Sequence, residues 1–346
     1  MGHNPTIVTT TKGGAPVFKK ALAVLAVAGA GFVARRYLAL RDAIGEIDPA
    51  LRSPLLLLTG PMTTPRMRLS RPLARIKASA GDGVALTSRQ AGDVCPVTVL
   101  VATPTRPGPR NRPALLWIHG GGMILGSPQL EAGGYGPLAD ELDVVVVSPD
   151  YRLAPEHPFP AALDDCMTAL HWMRDHAEEL GLDPDRIAVI GSSAGGGLSA
   201  AVAQRAHDEG IALRAQILCY PMLDDRTALR DNHCGRGRFM WTAQSNRFGW
   251  TAYLGRPPRL SDAPEYAAPA RRTDLSGLAP AWIGVGTLDL FYDESVAYAE
   301  ALRASGVPCE LLVVPGMYHG ADIMAPKAPA MTDFRRKSVD YLRGRL

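Results

Sequence analysis

Short runs of apolar and β-branched residues recur from Pro96 onward, and stretches with helical spacing separate several of them. The runs are PVTVLVA, ALLWIHG, VVVVSPD, IAVIGSS, AQILCYP, AWIGVGTLD and ELLVVPG. Most are nearly continuous in apolar residues, as strands covered on both faces must be. Helical patterns occupy 161–180, 194–209, 293–305 and 332–342, and Leu163, Met167, Leu170 and Met173 keep a three-to-four spacing along the first. Strands alternating with helices require crossover connections. The chain is therefore expected to be α/β, with a mostly parallel, doubly wound sheet. At 346 residues and 47% apolar composition it has ample material for such a core.

Two segments break the alternation. Residues 34–75 read as helix and loop before the first strand, and GRFMWTAQSNRFGWTAYLGRPP, residues 237–258, is an aromatic-rich helical patch between strands. Both are expected to fold over the end of the sheet as a cap. Nearer the N-terminus, the apolar run 21–34 lies between Lys19-Lys20 and Arg35-Arg36. It is shorter than the roughly 20 residues a spanning helix needs. Three readings stay open for it: a packed leader, a membrane-surface contact, or a signal peptide with Ala28 and Ala30 at the cleavage site. A formal net charge of +3 without a long basic run gives no reason to expect nucleic acid or an acidic partner. Cys95, Cys166, Cys219, Cys234 and Cys309 are scattered and form no CxxC pair, so neither a disulfide framework nor a zinc site is expected.

The stretch VIGSSAGGGLSA, residues 189–200, carries the chemistry. A lone G-x-S-x-G is weak evidence, but here RIAVIG reads as a strand, AGGGLSAAVAQRAHDEG as a helix, and the motif sits between them. Such a turn holds its central residue in a strained conformation with the side chain exposed at the carboxyl end of the sheet. The central residue is Ser193; Ser192 stands one place early. A phosphate-binding loop is the rival for a helix N-terminus, but the lysine and spacing of a P-loop are absent, and a dinucleotide turn belongs near the first strand.

A serine hydroxyl needs a base to take its proton. On this architecture the order is serine, acid, histidine. His319, in MYHG after ELLVVPG, follows a strand and is placed to reach the elbow; His207 falls inside a helix and His233 in a polar segment. Asp289 ends AWIGVGTLD and is the candidate acid, with Asp293 reading as a helix cap and Asp224 and Asp225 as weaker alternatives. Gly120–Gly122 follow the strand LLWIHG, where glycines let backbone N–H groups face a substrate carbonyl. Gly121 and Gly122, with the N–H of Ala194, are the expected oxyanion donors. His119 precedes the serine and is read as fixing this loop. Met123, Phe239, Trp241 and Trp250 are candidate pocket residues.

These motifs together resemble the hormone-sensitive-lipase family of α/β-hydrolases, the bacterial esterase group with HGGG. The resemblance runs from about Pro96 to the C-terminus. DYRLAPEHPFPAAL, residues 150–163, is its most specific signature; HGGGMILGS, GSSAGGGLSA, LDLFYDE and MYHG complete the set. It implies the α/β-hydrolase fold and assigns Ser193, Asp289 and His319 as a triad. Two positions depart from the family pattern. Ser192 stands where Asp or Thr usually precedes the nucleophile, and Leu290 stands where Pro usually follows the acid, which keeps Asp293 in view. Tyr151, Arg152 and Glu156 are read as holding the long loop together.

The expectation is thus an N-terminal leader or membrane-contact segment over 1–35 and an α/β-hydrolase domain over 36–346, its cap formed by about 36–75 and 236–258. The expected activity is hydrolysis of short- to medium-chain carboxylic esters with no metal or cofactor. An amidase or lactonase using the same triad, and a non-catalytic ligand receptor on the same scaffold, are the alternatives. The expected state is a cytoplasmic monomer or homodimer, with membrane association or export through the N-terminal segment as the other reading.

Overall fold

A computed structural model describes residues 31, 33–73 and 79–346. Helix α1 (33–46) and α2 (Thr64–Ser70) precede the strands β1 (Val84–Ala91), β2 (Val97–Pro104) and β3 (Arg112–Ile118). The short α3 (Pro128–Glu131) and α4 (Tyr135–Leu142) lead to β4 (Val145–Pro149), and α5 (Ala161–Asp175) and α6 (Ala177–Leu180) lead to β5 (Leu182–Ser192). After α7 (Ala194–Asp208) and β6 (Gln216–Cys219) comes α8 (Ala243–Leu254), then β7 (Ala281–Gly286), α9 (Tyr292–Ala304) and β8 (Cys309–Val314). Helices α10 (Ala321–Met324) and α11 (Pro329–Arg343) close the chain.

The strands make one eight-stranded sheet in the order β1-β2-β4-β3-β5-β6-β7-β8. The pairings from β4 through β8 are parallel, while β2 runs antiparallel to both β1 and β4. All seven apolar runs became strands; every residue of β4 and β7 is buried, while β8, at the sheet edge, is only partly covered. Strand β1 is an addition to the sequence reading. Its residues VALTSRQA are mostly exposed. An edge strand with one wet face carries no apolar run to announce it.

Alternation along the strands divides the core between two faces. Ala114, Leu116, Val145 and Val147 pack with Leu163, Met167, Leu170 and Leu198 of α5 and α7. Leu115, Val144 and Val146 pack with Leu138 of α4 and Phe334 of α11 on the opposite side. The sheet therefore presents its carboxyl edge between two helical layers, where βα loops can gather.

Of the expected leader, only 31 and 33–35 are described; of the expected cap segment 36–75, residues 74 and 75 lie outside the described residues. Met62 N–H donates to Ser245 Oγ at 2.8 Å, joining the polypeptide before the sheet to α8 across 183 positions. Arg71, just after α2, donates to the carbonyls of Ile124 and Ala154 and pairs with Glu156 at 2.8 Å. Several apolar side chains stand on the outer surface here: Tyr37, Leu38, Leu55, Leu58, Leu69 and Leu73 are all exposed. Among the described residues no helix is long and apolar enough to cross a membrane.

Candidate active site

Strand β5 ends at Ser192 and α7 begins at Ala194, leaving Ser193 alone in the turn. Its backbone adopts φ 57° and ψ −121°, a conformation that costs a residue with a Cβ about 1–3 kcal/mol. The surroundings impose it. Ser193 N–H donates to the Cys219 carbonyl at 2.9 Å, and its own carbonyl accepts from Gly197 and Met222 at 3.0 Å each. Glycine is required on either side for close approach: a Cβ on Gly191 would stand 2.3 Å from the Gly195 carbonyl, and one on Gly195 2.0 Å from that of Ile118. Ser192 turns instead toward the glycine loop, its Oγ within 3.3 Å of a Cβ built on Gly120.

His319 lies on the loop after β8, with Nε2 2.9 Å from Ser193 Oγ and Nδ1 2.9 Å from Asp289 Oδ2. The second Asp289 oxygen accepts the Phe291 N–H at 2.9 Å, so both carboxylate oxygens are engaged. All three side chains are buried, Asp289 completely. The rings of Tyr220 and Phe291 pack T-shaped with the imidazole, at centroid separations of 4.9 and 5.2 Å, and restrict its tilt. The loop is tied from behind, where Tyr318 Oη donates to the Leu51 carbonyl and Asp48 N–H to that of Gly316. An imidazole held this way at Nδ1 offers Nε2 to the serine proton.

The alternative acids and bases considered from the sequence lie elsewhere. Asp293 pairs with Arg230 and Arg236 at 3.1 and 2.7 Å. Asp224 pairs with Arg226, and Asp225 with Arg271. His207 sits against Gly277 at the far end of α7, and His233 pairs with none of the three.

The glycine loop after β3 winds through φ 123° at Gly121, 64° at Gly122 and 62° at Met123. Ile124 and Leu125 N–H both return to the Gly121 carbonyl, closing a tight turn. The N–H groups of Gly121, Gly122 and Ala194 have no acceptor among the described residues. His119 supports the loop from below: its ring stacks on Tyr151 at 4.0 Å, and Nδ1 lies 2.9 Å from the Gly120 carbonyl. Burial pushes its pKa down to about 4, the Gly120 contact opposing, so the ring is neutral at pH 7. Tyr151 Oη holds the His119 carbonyl at 2.9 Å. Arg152 forms a bidentate pair with Asp165, and Glu156 binds Arg71.

Of the four aromatic and sulfur candidates, Trp241 reaches the glycine loop. A Cβ on Gly122 would lie 2.1 Å from its ring, and Gly249 of α8 leaves room for the same ring. Its Nε1 donates to Asn246 Oδ1 at 3.3 Å. Met123 is 1% exposed, Phe239 packs on Tyr318, and Trp250 lies fully buried in the core beside Tyr253. Sequence reasoning missed Glu131, which accepts from Gly120 N–H and Trp117 Nε1; a lone acid in PQLEAGG has no motif to reveal it. Two open surface clefts of about 550 Å³ each, one beside His171 and one beside Tyr266, contain none of these residues. Among the described residues no group of three or more His, Cys, Asp or Glu is placed to hold a metal ion.

The sheet order, the strand–serine–helix turn and the late histidine define an α/β-hydrolase. The chain belongs to the family described as alpha/beta hydrolase fold, whose pattern matches residues 115–323, and within it to the hormone-sensitive-lipase branch. It is 36% identical over 243 residues to Esterase LipI of Mycobacterium tuberculosis, covering 69% of this chain and 75% of that protein. It is 40% identical over 248 residues to Carboxylesterase NlhH of the same organism, covering 67% and 74%. Among solved structures, a bacterial heroin esterase superposes with a TM-score of 0.80 at 34% identity, covering 88% of this chain and 99% of that one.

Proposed function

We propose that the protein is a carboxylesterase in which Ser193 attacks the acyl carbonyl, His319 takes the serine proton, and Asp289 orients and stabilises the imidazolium. Gly121, Gly122 and Ala194 N–H groups hold the developing oxyanion, each worth roughly 3–4 kcal/mol where such a donor has been removed. His319 then protonates the leaving alcohol, and water releases the acyl-enzyme by the same route in reverse. The observation carrying this reading is the pair of 2.9 Å contacts that His319 makes to Ser193 and Asp289. The unpaired N–H groups of the glycine loop and the ester-hydrolase names of the relatives support it.

The substrate is a small ester with a short- to medium-chain acyl group. Trp241, seated on Gly122, bounds the space beside the oxyanion site. The segments 36–75 and 236–258 act as the cap, a reading supported by the Met62–Ser245 bond between them. Exposed Leu38, Leu55, Leu58 and Leu69, with Arg35, Arg41 and Arg68 exposed along the same stretch, suit it to contact with an anionic membrane surface.

Hydrolysis of p-nitrophenyl esters from acetate to palmitate, by the protein and by Ser193→Ala, tests the reading. Activity peaking at short chains and lost in the variant is expected. Activity retained in a folded Ser193→Ala protein overturns the nucleophile assignment.

A further inference from the structure

Beneath the glycine loop stands a carboxylate that the triad does not use. Glu131, the last residue of α3, is partly buried and splits its two oxygens between two donors. Oε1 accepts Gly120 N–H at 2.8 Å, and Oε2 accepts Trp117 Nε1–H at 2.6 Å. Trp117 is the penultimate residue of β3, two positions before the strand gives way to the loop, and its ring packs edge-on against Tyr135 at 5.1 Å. Gly120 also lies close against the elbow: a Cβ built there would stand 3.0 Å from the Ser192 carbonyl oxygen.

We propose that Glu131 is a positioning residue for the oxyanion loop, fixing the Gly120 peptide so that the N–H groups of Gly121 and Gly122 aim at the substrate carbonyl. This rests on the mechanism proposed above. The two-donor arrangement favours the ionised form. A carboxylate accepts strongly on both oxygens, whereas the O–H oxygen of a protonated carboxyl is a weaker acceptor and its proton needs an acceptor of its own. Protonation therefore weakens the hold on either Gly120 or Trp117, and a loop misplaced by about 1 Å can cost on the order of 100-fold in rate.

The titration falls in an accessible range. Burial raises the Glu131 carboxyl, the Gly120 and Trp117 bonds oppose that, and the charge of Asp322 adds to it, bringing the pKa up to about 7. The groups that feel Glu131 are Tyr135 on α4, Tyr151 after β4, Cys219 and Tyr220 at the end of β6, and Asp322 on α10. Burial drives these three tyrosines and Cys219 toward their neutral forms. Asp322 accepts from Tyr220 Oη at 2.8 Å and itself faces His319 and Arg335.

The experiment compares kcat, KM and the acid limb of the pH profile for p-nitrophenyl acetate hydrolysis by the wild-type protein, Glu131→Gln and Trp117→Phe. In the wild type, protonation of Glu131 adds a drop of about 10- to 100-fold to the acid limb set by the catalytic base, so log kcat/KM falls more steeply than one group allows over the range where Glu131 titrates. For Glu131→Gln the expected result is a kcat lower by about 10- to 100-fold, KM within about two-fold, and an acid limb reduced to a slope of about 1. Trp117→Phe removes one donor to the ionised carboxylate and moves the limb to higher pH, which keeps the test open if Glu131→Gln does not fold. A folded Glu131→Gln enzyme with wild-type kcat and slope overturns the proposal, as does a variant that loses thermal stability alone. Ser193→Ala run alongside separates the two readings: activity surviving there breaks the triad mechanism, whereas failure at Glu131 alone leaves it standing.

Discussion

His319 Nε2 lies 2.9 Å from Ser193 Oγ although 126 positions separate the two residues in the chain. The contact exists because β5 and β8 end on the same edge of the sheet, and each hands its next loop to the same space. Asp289, after β7, enters from the strand between β6 and β8. The proposed chemistry thus rests on the strand order, and the predictions below probe it residue by residue.

Ser193→Ala is expected to reduce ester hydrolysis by more than about 1,000-fold, leaving only what oxyanion donors and binding supply. Ser192→Ala, which changes a hydroxyl facing the glycine loop, is expected to stay within about ten-fold of wild type. Steady-state rates on p-nitrophenyl acetate decide. Equal losses in both would mean that the elbow as a whole had been disturbed, which near-UV circular dichroism would reveal.

Asp289→Asn leaves the imidazole with an amide in place of its acceptor and is expected to lower kcat by up to about 10,000-fold. Asp293→Asn removes a partner of Arg230 and Arg236 at a half-exposed site. Its rate should remain within about three-fold, since exposed pairs contribute about 0–1 kcal/mol. The reverse ranking in a kcat comparison would make Asp293 the acid.

Gly122→Ala places a methyl 2.1 Å from the Trp241 ring at a residue with φ 64°. A loss of at least about 100-fold in kcat/KM is expected, because the adjacent N–H must turn away. Trp241→Ala should shift the preferred acyl chain to longer lengths and, combined with Gly122→Ala, recover part of the lost rate. A chain-length profile unmoved by Trp241→Ala would place the limit of the acyl site elsewhere.

The neutral, buried His119 makes the fold acid-sensitive. Its pKa is near 4 in the protein against 6.5 in the unfolded chain. The contribution is full above pH 6.5, where both forms are neutral, and drains away as pH falls toward 4 because only the unfolded chain takes up the proton. It amounts to at most about 3 kcal/mol. Urea unfolding of wild type and His119→Phe at pH 7 and pH 4.5 checks the sign: the wild type should lose more stability between them. An equal or greater loss in the variant would remove His119 from the account.

Contact of the cap with an anionic surface is checked by sedimentation with phosphatidylserine-containing vesicles. Binding is expected to weaken when Leu55 and Leu69 become Ser, and again as salt is raised. Binding to neutral vesicles of equal strength would exclude the charge contribution.

Much of the candidate site was legible because its parts are local. Continuous burial on two faces writes itself as an apolar run, and a turn that tolerates no Cβ at 191 or 195 writes itself as glycine. The strand-end positions of Asp289 and His319 follow from the same runs. Strand β1 escaped because its face is wet and its side chains need only be polar.

The sequence by itself determined the α/β class, the seven strands of the apolar runs, the serine in the elbow and the order of its proposed partners. Each of these is a matter of spacing along one chain. Tertiary structure decided which aspartate meets His319, which of the aromatic residues stands on Gly122, and that Glu131 holds Gly120. Those are contacts between segments whose separation in sequence carries no period, so only the folded sheet, bringing its loops to one edge, could specify them.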